Sequence, residues 1–214
     1  MYLPKQFEET RTDVLHSLMR ERSFAALVVM TNEGLSVDHI PFLVDETSGA
    51  LGVLRGHVSR ANPILGATLA DADAVAIFSG PDHYITPSWY ATKKETGKVV
   101  PTWNYVVVHA HGRLRFIDDA QWVRGHVNQL THRHEAAREA HWKVSDAPED
   151  YVAKLINGIV GVEMTIRRLA GKWKLGQNRP DSDQRGVLDG LLQEKAPSAD
   201  ALAALVREAK GGGK

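Results

Sequence analysis

The sequence predicts an α+β protein built on a small β-barrel with peripheral helices. Its middle contains about six or seven extended segments rich in Val, Leu and Ala, separated by turns that contain Gly, Pro and Asn. Segments with helical spacing of apolar residues stand at the start and in the last third. With 214 residues, 43% of them hydrophobic, the chain can bury a sizeable core.

In the first half, apolar residues recur at helical spacing from Val14 to Met19, with Thr10 or Thr12 as the cap. Three strands follow, each bounded by turn residues: 24–31, 35–44 and 51–58. Asn62-Pro63 then starts a short helix over Ile64–Ala70, because Asn is a favoured cap and Pro suits the first helical position.

The rest of the chain mixes strands and helices. We predict strands at 74–79, 103–117 and 161–168, an extended segment at 83–90, a mobile loop at 91–100, and helices from 118 or 119 to 132 and at 148–159, 184–193 and 198–209. No linker forces a domain boundary. We expect a barrel domain over 1–180, with the helical segment 181–214 as a C-terminal extension packed on that barrel.

Composition excludes several classes of function. Basic and acidic residues both number 26, which argues against a protein that mainly grips nucleic acid. The absence of Cys excludes disulfides, Cys-ligated zinc, iron–sulfur clusters and thiol nucleophiles. Because the charged N-terminal segment is unlike a signal peptide and no apolar stretch is long enough to span a membrane, we expect a cytoplasmic protein.

The segment 55–63, RGHVSRANP, is the first candidate site. A predicted strand ends here and a helix begins, with Ser59, Arg60 and Asn62 between them. Backbone N–H groups and a guanidinium would suit a phosphate or carboxylate. The alternative is that Asn62 caps the helix while Arg60 forms a surface ion pair. His57 lies in this segment at the end of the strand, next to the predicted anion site, and could hydrogen-bond a flavin or ligate a haem iron.

Three further groups of residues are less specific. Two aromatic segments, 86–90 and 101–105, contain Tyr90 and Trp103 and could stack on a flat ligand or form a core. His109 and His111 could share a metal, but carboxylates at ligand spacing are missing, so surface or core histidines fit better. Five cations lie between 167 and 179 without a nucleic-acid-binding motif, which favours a solvated strand edge, with cofactor contacts from Gln177, Asn178 and Arg179 as the alternative.

Five segments together resemble the PaiB family, often described as FMN-binding negative transcriptional regulators. They occur in the family's order: MYLPKQF, RGHVSRANP, FSGPDHYITPSWY, VPTWNYVVVHAHG and KWKLGQNRP. The resemblance covers most of the chain, to about residue 180. It implies a split β-barrel of the FMN-binding type, a homodimer, and FMN bound at the subunit interface.

The resemblance also implies site residues. The strand with Val37, His39, Ile40 and Pro41 would lie along the isoalloxazine ring. Further cofactor contacts would come from these residues: His57, Ser59, Arg60, Asn62, Trp103, Gln177, Asn178 and Arg179. By the same resemblance, Ser59, Arg60 and Asn62 would hold the phosphate of FMN.

Three functions remain open. The first is an FMN-dependent oxidoreductase or flavin-dependent regulator with a small-molecule substrate, in which His57, Tyr90 or Lys93 could transfer a proton. The second is a haem b enzyme of the piperazate synthase type, which forms a nitrogen–nitrogen bond, with His57 as the axial ligand. The third is a DNA-binding regulator without catalysis, which the zero net charge disfavours.

Overall fold

A computed structural model describes residues 1–68 and 72–211 of the chain. The strands are β1 (Glu8–Glu9), β2 (Phe24–Thr31), β3 (Gly34–Pro41), β4 (Leu43–Asp45), β5 (Val53–Ser59), β6 (Asp73–Ile85), β7 (Thr102–Ile117) and β8 (Ile159–Lys174). The helices are α1 (Thr12–Glu21), α2 (Ile64–Ala67), α3 (Thr92–Thr96), α4 (Ala120–Glu135), α5 (Glu149–Asn157), α6 (Asp181–Gln193) and α7 (Pro197–Gly211). The predicted helical residues Leu69 and Ala70, and the last three residues of the predicted extension, lie outside the described ranges.

Within the described ranges, the strands form one eight-stranded sheet in the order β3-β2-β6-β7-β8-β5-β4, and β1 pairs with β8. The sheet is not closed, because β3 and β4 are its two edges. One sheet with antiparallel pairs, together with helices that lie between and after its strands, confirms the predicted α+β class. Among the described helices, none has the length and apolar character needed to cross a membrane.

Strand β6 is twice as long as predicted. Gly80-Pro81 was expected to end it, yet the strand continues to Ile85. Its partner β2 pairs only with Ala74–Ile77, so Pro81 lies beyond that ladder. A proline there removes no hydrogen bond to β2, and the strand tolerates it as an edge strand would.

Two other predicted boundaries are wrong. The strand predicted at 35–44 is interrupted at Phe42, whose side chain is fully buried and whose N–H donates to Ser23 O rather than to a strand partner. The loop predicted at 91–100 contains the short helix α3. It ends at Gly97, which adopts φ +68° as a left-handed cap.

Strand β8 extends beyond the predicted 161–168 because it continues through a glycine to pair with β1. Glu9 of β1 lies opposite Gly171, and Glu8 opposite Lys172. A Cβ on Gly171 would lie 2.2 Å from Leu15 Cδ2 and 3.0 Å from Glu9 O, so glycine lets β1 and the Leu15 side chain pack closely here. The continuation places Lys172 and Lys174 on a paired strand rather than in a loop.

The chain divides into two compact units. The first unit comprises Met1–Leu15, Ser79–Val108 and Ala170–Lys214, and the second comprises His16–Phe78 and His109–Leu169. In the second unit, large side chains without solvent exposure form the core, among them Leu27, Phe42, Leu54, Phe78 and Met164. In the first, Ile85, Leu191 and Leu202 are fully buried. The predicted division at residue 180 stays a prediction.

Candidate functional site

The turn after β5 in the second unit holds the residues predicted to bind a phosphate. Arg60 donates through Nη1 and Nη2 to both carboxylate oxygens of Asp118, at 2.8 and 2.6 Å, and its Nε donates to Asn157 O at 2.8 Å. The hydrogen bond from Arg60 lowers the pKa of Asp118, and the carboxylate raises the pKa of Arg60. The charge of Arg60 is therefore already matched within the protein.

Asn62 and Ser59 hold the same turn together. Asn62 Oδ1 accepts from Ile64 N at 3.0 Å, and its Nδ2 donates to Asp38 Oδ1 on β3 at 3.2 Å. Ser59 Oγ accepts from Ala61 N at 3.2 Å, which leaves its hydroxyl hydrogen as a donor for a ligand. The Asn62–Asp38 bond joins the predicted phosphate turn to the strand predicted to lie along the flavin ring.

Strand β3 presents an open face. Val37 is 56% exposed, and the rings of His39 and Phe24 lie with their centroids 5.8 Å apart. Ile40 is 2% exposed and its side chain packs against Gly56, where an added Cβ would lie 2.9 Å from Ile40 Cγ2, so Ile40 belongs to the core rather than to the open face. Because β3 is an edge, its outer row of backbone groups can bond to a ligand rather than to another strand.

His57 belongs to a stack of rings in the second unit. Its ring meets that of His126 edge to face at a centroid distance of 5.4 Å, and Trp122 stacks on His126 at 5.5 Å. Within this stack, three ring nitrogens are buried without a hydrogen-bond partner: His57 Nδ1 and both nitrogens of His126. Gly161, the register partner of His57, leaves room for the indole, since a Cβ there would lie 2.3 Å from Trp122 Cζ3.

Burial keeps both imidazoles of this stack neutral. It lowers the pKa of His57, and it lowers the pKa of His126 to about 4, with smaller contributions from the charges of His57 and Arg55. Neutral imidazoles accept hydrogen bonds and ligate metals. His126 is a functional candidate that sequence reasoning missed, because its helical spacing alone does not reveal which strand residue it meets.

In the first unit, Tyr90 is 4% exposed, and the guanidinium of Arg179 lies over its ring with Cζ 4.7 Å from the centroid. Burial raises the pKa of Tyr90. Lys93 is exposed and donates to Ser88 Oγ at 3.2 Å. Trp103 is 54% exposed and meets Tyr84 edge to face, so its ring remains open to a flat ligand.

The predicted cofactor contacts after β8 differ in whether their polar groups already have partners within the protein. Gln177 uses its amide locally: Oε1 accepts from Leu175 N, and Nε2 donates to Trp173 O. Asn178 is exposed, and Arg179 is held over Tyr90. Two further cations, Lys172 and Lys174, precede this turn and were not predicted as site residues. Their spacing of two residues on one strand could have indicated that both lysines lie on the same face.

His109 and His111 do not form a metal site with other side chains. Their ring centroids are 6.2 Å apart. Over residues 1–68 and 72–211, no group of three or more potential metal ligands is found. Both histidines are half-buried on β7, and their assignment as surface or core residues stays a prediction.

Comparison with known proteins assigns the chain to a family. The family model described as "Putative FMN-binding domain" matches residues 1–168. A protein of Emericella nidulans is 35% identical over 97% of this chain and 97% of its own length. The Bacillus subtilis protein named protease synthase and sporulation protein PAI 2 is 27% identical over the same shares of both chains. The chain belongs to the PaiB-like family of FMN-binding proteins. The family resemblance and FMN as the cofactor are thus confirmed.

Solved structures with low identity to this PaiB-like chain share its fold. The flavocytochrome Anf3 from Azotobacter vinelandii superposes with a TM-score of 0.58 at 16% identity, covering 78% of this chain and 69% of its own. The FAD and heme binding protein from Mycobacterium smegmatis gives 0.57 at 18% identity, covering 86% and 80%. These similarities support the split-barrel fold.

Proposed function

We propose that this PaiB-like protein is an FMN-dependent oxidoreductase that acts as a homodimer. The observation that carries the proposal is the open face of β2 and β3. Four large apolar side chains stand exposed there: Phe24, Met30, Leu35 and Val37. An exposed apolar face of this kind is typical of a site that binds a flat ring or a partner surface.

The residues present fit the ring end of FMN better than its phosphate end. The free edge of β3 offers backbone donors and acceptors for the ring's polar rim, and Val37 and His39 offer flat contact. At the phosphate end, Ser59 has a hydroxyl hydrogen to donate, but Arg60 must share its guanidinium with Asp118. Bound FMN supplies reversible redox chemistry, while these residues bind and orient it.

A second copy of this chain is the occupant we propose for the remainder of the face. Met30 lies opposite Leu35, and Val28 opposite Val37, so their side chains form continuous apolar rows across β2 and β3. Burying such rows is favourable by about 25 cal/mol for each Å² of apolar surface.

The test uses Val37→Glu, with Val100→Glu as the control because Val100 is similarly exposed outside the strands. We expect wild type to purify as a yellow dimer by light scattering, and Val37→Glu as a monomer with little flavin. A dimer that retains its flavin after Val37→Glu contradicts the proposal. If Val37→Glu is a monomer that retains its flavin, only the claim that FMN binds at the dimer interface is contradicted.

Redox activity is tested separately from binding. The flavin-loaded protein is mixed under anaerobic conditions with NADH or NADPH and then with a quinone, and the flavin absorbance is followed. We expect bleaching and recovery faster than with free FMN. Rates equal to those of free FMN with every donor tested would argue against the oxidoreductase.

Haem b is a second candidate cofactor, favoured by His57. Its Nδ1 is buried without a partner, and its ring is half-buried rather than fully enclosed. The two structural neighbours above are named as a flavocytochrome and as an FAD and heme binding protein. A Soret band that His57→Ala abolishes and His132→Ala keeps would support an axial imidazole. A flavin spectrum that survives both changes supports FMN alone.

A direct regulatory role on DNA stays a prediction and is not part of this proposal. The Bacillus subtilis relative is named for protease synthesis and sporulation. This chain has a net charge of zero, which provides little general attraction to a polyanion. Mobility of duplex DNA at low salt checks the prediction.

A further inference from the structure

The C-terminal end of β8 gathers three cations in the first unit: Lys172, Lys174 and Arg179. The two lysines alternate on the strand and therefore share a face. All three lie beyond residue 168, where the match to the FMN-binding family model ends. They are also separate from the turn at Arg60, which belongs to the second unit.

Lys172 is buried without a carboxylate to match its charge. It is 8% exposed, and its Nζ donates to Tyr2 O at 3.1 Å. The same amino group lies over two rings, 5.8 Å from the centroid of Tyr2 and 5.3 Å from that of Tyr105. Glu8 is its register partner on β1, yet the described residues show no ion pair between them. Neutral groups alone hold this ammonium.

Lys174 is held in the same manner. Its Nζ donates to Thr102 Oγ1 and, at 2.7 Å, to Trp103 O, and both acceptors are uncharged. An ammonium has three N–H donors, so one remains for a ligand. Burial lowers the pKa of Lys174, and the charges of Lys172 and Arg179 lower it further. Lys174 therefore lies within electrostatic range of both other cations.

Arg179 is positioned by a tight turn. Gly176 adopts φ +86°, and Arg179 N donates to Gly176 O at 2.9 Å. The side chain then lies over Tyr90, without a carboxylate at ion-pair distance among the described residues. Asp183 is the acidic group beside Tyr90. Its Oδ1 accepts from Thr92 N, and its charge raises the pKa of Tyr90.

We propose that Lys172, Lys174 and Arg179 form a binding site for a small oxyanion, the carboxylate or phosphate of a small molecule. Like charges that are partly buried and lack a counter-ion are unfavourable, and an anion that bridges them removes the repulsion. Two of these cations lie over aromatic rings, Lys172 over Tyr105 and Arg179 over Tyr90, and these contacts position them. The anion is either the phosphate of FMN or the acidic group of a separate molecule.

The first experiment uses inorganic phosphate as the probe and flavin-free full-length protein at low ionic strength. We expect saturable binding by calorimetry. Lys174→Met and Arg179→Gln should each weaken it about tenfold or more, since each loses a charge-assisted hydrogen bond. Lys154→Met, an exposed lysine on α5, is the matched control and should bind as wild type does.

The second experiment distinguishes the two sources of the anion. If the phosphate of FMN occupies the site, Lys174→Met weakens FMN but not riboflavin, and free phosphate competes with FMN. If a separate anion occupies it, Lys174→Met leaves both flavins unaffected and weakens only phosphate. Circular dichroism of each variant checks that it has folded.

Two results would overturn the inference. One is the absence of phosphate binding to wild type up to about 10 mM, a weak affinity even for a single small ion. The other is equal binding by wild type, Lys174→Met and Arg179→Gln. Neither result depends on whether the protein binds flavin, so the proposed oxidoreductase is judged independently.

Discussion

The turn after β5 and the end of β8 both carry basic residues, but they differ in how those charges are matched. Arg60 is paired with both oxygens of Asp118. Lys172 and Lys174 donate only to backbone and hydroxyl oxygens. A basic motif is therefore not yet an anion site. Whether its charge is available depends on a partner that can lie far away in the sequence.

This contrast predicts that the two regions respond differently to mutation. At the turn after β5 the charge of Arg60 is matched by an exposed carboxylate, so removing that carboxylate should change ligand affinity more than stability. Among the described residues, no ion pair joins a carboxylate to Lys172, Lys174 or Arg179, so removing one of these cations should cost little stability while no anion is present.

The largest effect should come from Gly161→Ala in the ring stack. The new Cβ would lie 2.3 Å from Trp122 Cζ3 and 3.1 Å from Ile117 O, so the indole must move. We expect a loss of about 2 kcal/mol in the free energy of unfolding, measured with urea. Gly125→Ala on α4 is the control, because nothing lies within 4 Å of its added Cβ. Equal stability of Gly161→Ala and wild type would show that the stack is loose.

A pH-dependent effect should follow from His126. Its pKa in the folded protein, about 4, lies below the ordinary value of 6.5. Between these two values the unfolded chain binds a proton at His126 and the folded protein does not. Stability from this group is present above pH 6.5 and falls as the pH drops toward 4, by about 1.4 kcal/mol per pH unit at most.

His126→Phe should flatten the dependence of urea midpoints on pH over that window. His132→Phe changes an exposed residue of the same helix and should leave the dependence as it is. The groups that face His126 are Trp122, His57 and the charge of Arg55, and all three are kept in both variants. An unchanged slope in His126→Phe would mean that another group titrates.

A smaller effect, of opposite sign, should come from Lys174→Met. Removing a cation that burial and two neighbouring cations disfavour should raise the free energy of unfolding of the anion-free protein slightly. Thermal unfolding without phosphate measures it, and added phosphate should stabilise wild type more than the variant. A destabilised Lys174→Met would indicate that its hydrogen bonds to Thr102 and Trp103 outweigh the repulsion.

The smallest effect on stability should come from Asp118→Asn, since the pair with Arg60 is exposed to solvent. Its effect should show in binding instead. A guanidinium released from its carboxylate can bind phosphate, so FMN affinity measured by fluorescence quenching should increase. Asp150→Asn, at an exposed position in the first turn of α5, is the control. If FMN binds Asp118→Asn as it binds wild type, Arg60 does not contact the phosphate.

The local sequence was sufficient to predict most strands and helices, but not which charged side chains of the candidate sites are paired. Alternation and turn residues located β2, β5 and β7, and the motif around Arg60 pointed to a charged turn. The pairing of Arg60 with Asp118 joins residues 58 positions apart, and that of Lys172 with Tyr2 joins residues 170 apart. No local pattern encodes such contacts. The end of β6 was missed for a similar reason, because it depends on where β2 stops pairing.

Strand β3 has a consequence for how two copies of the chain can meet. Asp38 lies in the middle of this edge strand, and Pro41 ends it. A charge and a proline on a border strand hinder the addition of another strand from outside. We therefore expect no sheet that continues from one molecule into the next along β3, and association should instead press broad surfaces together.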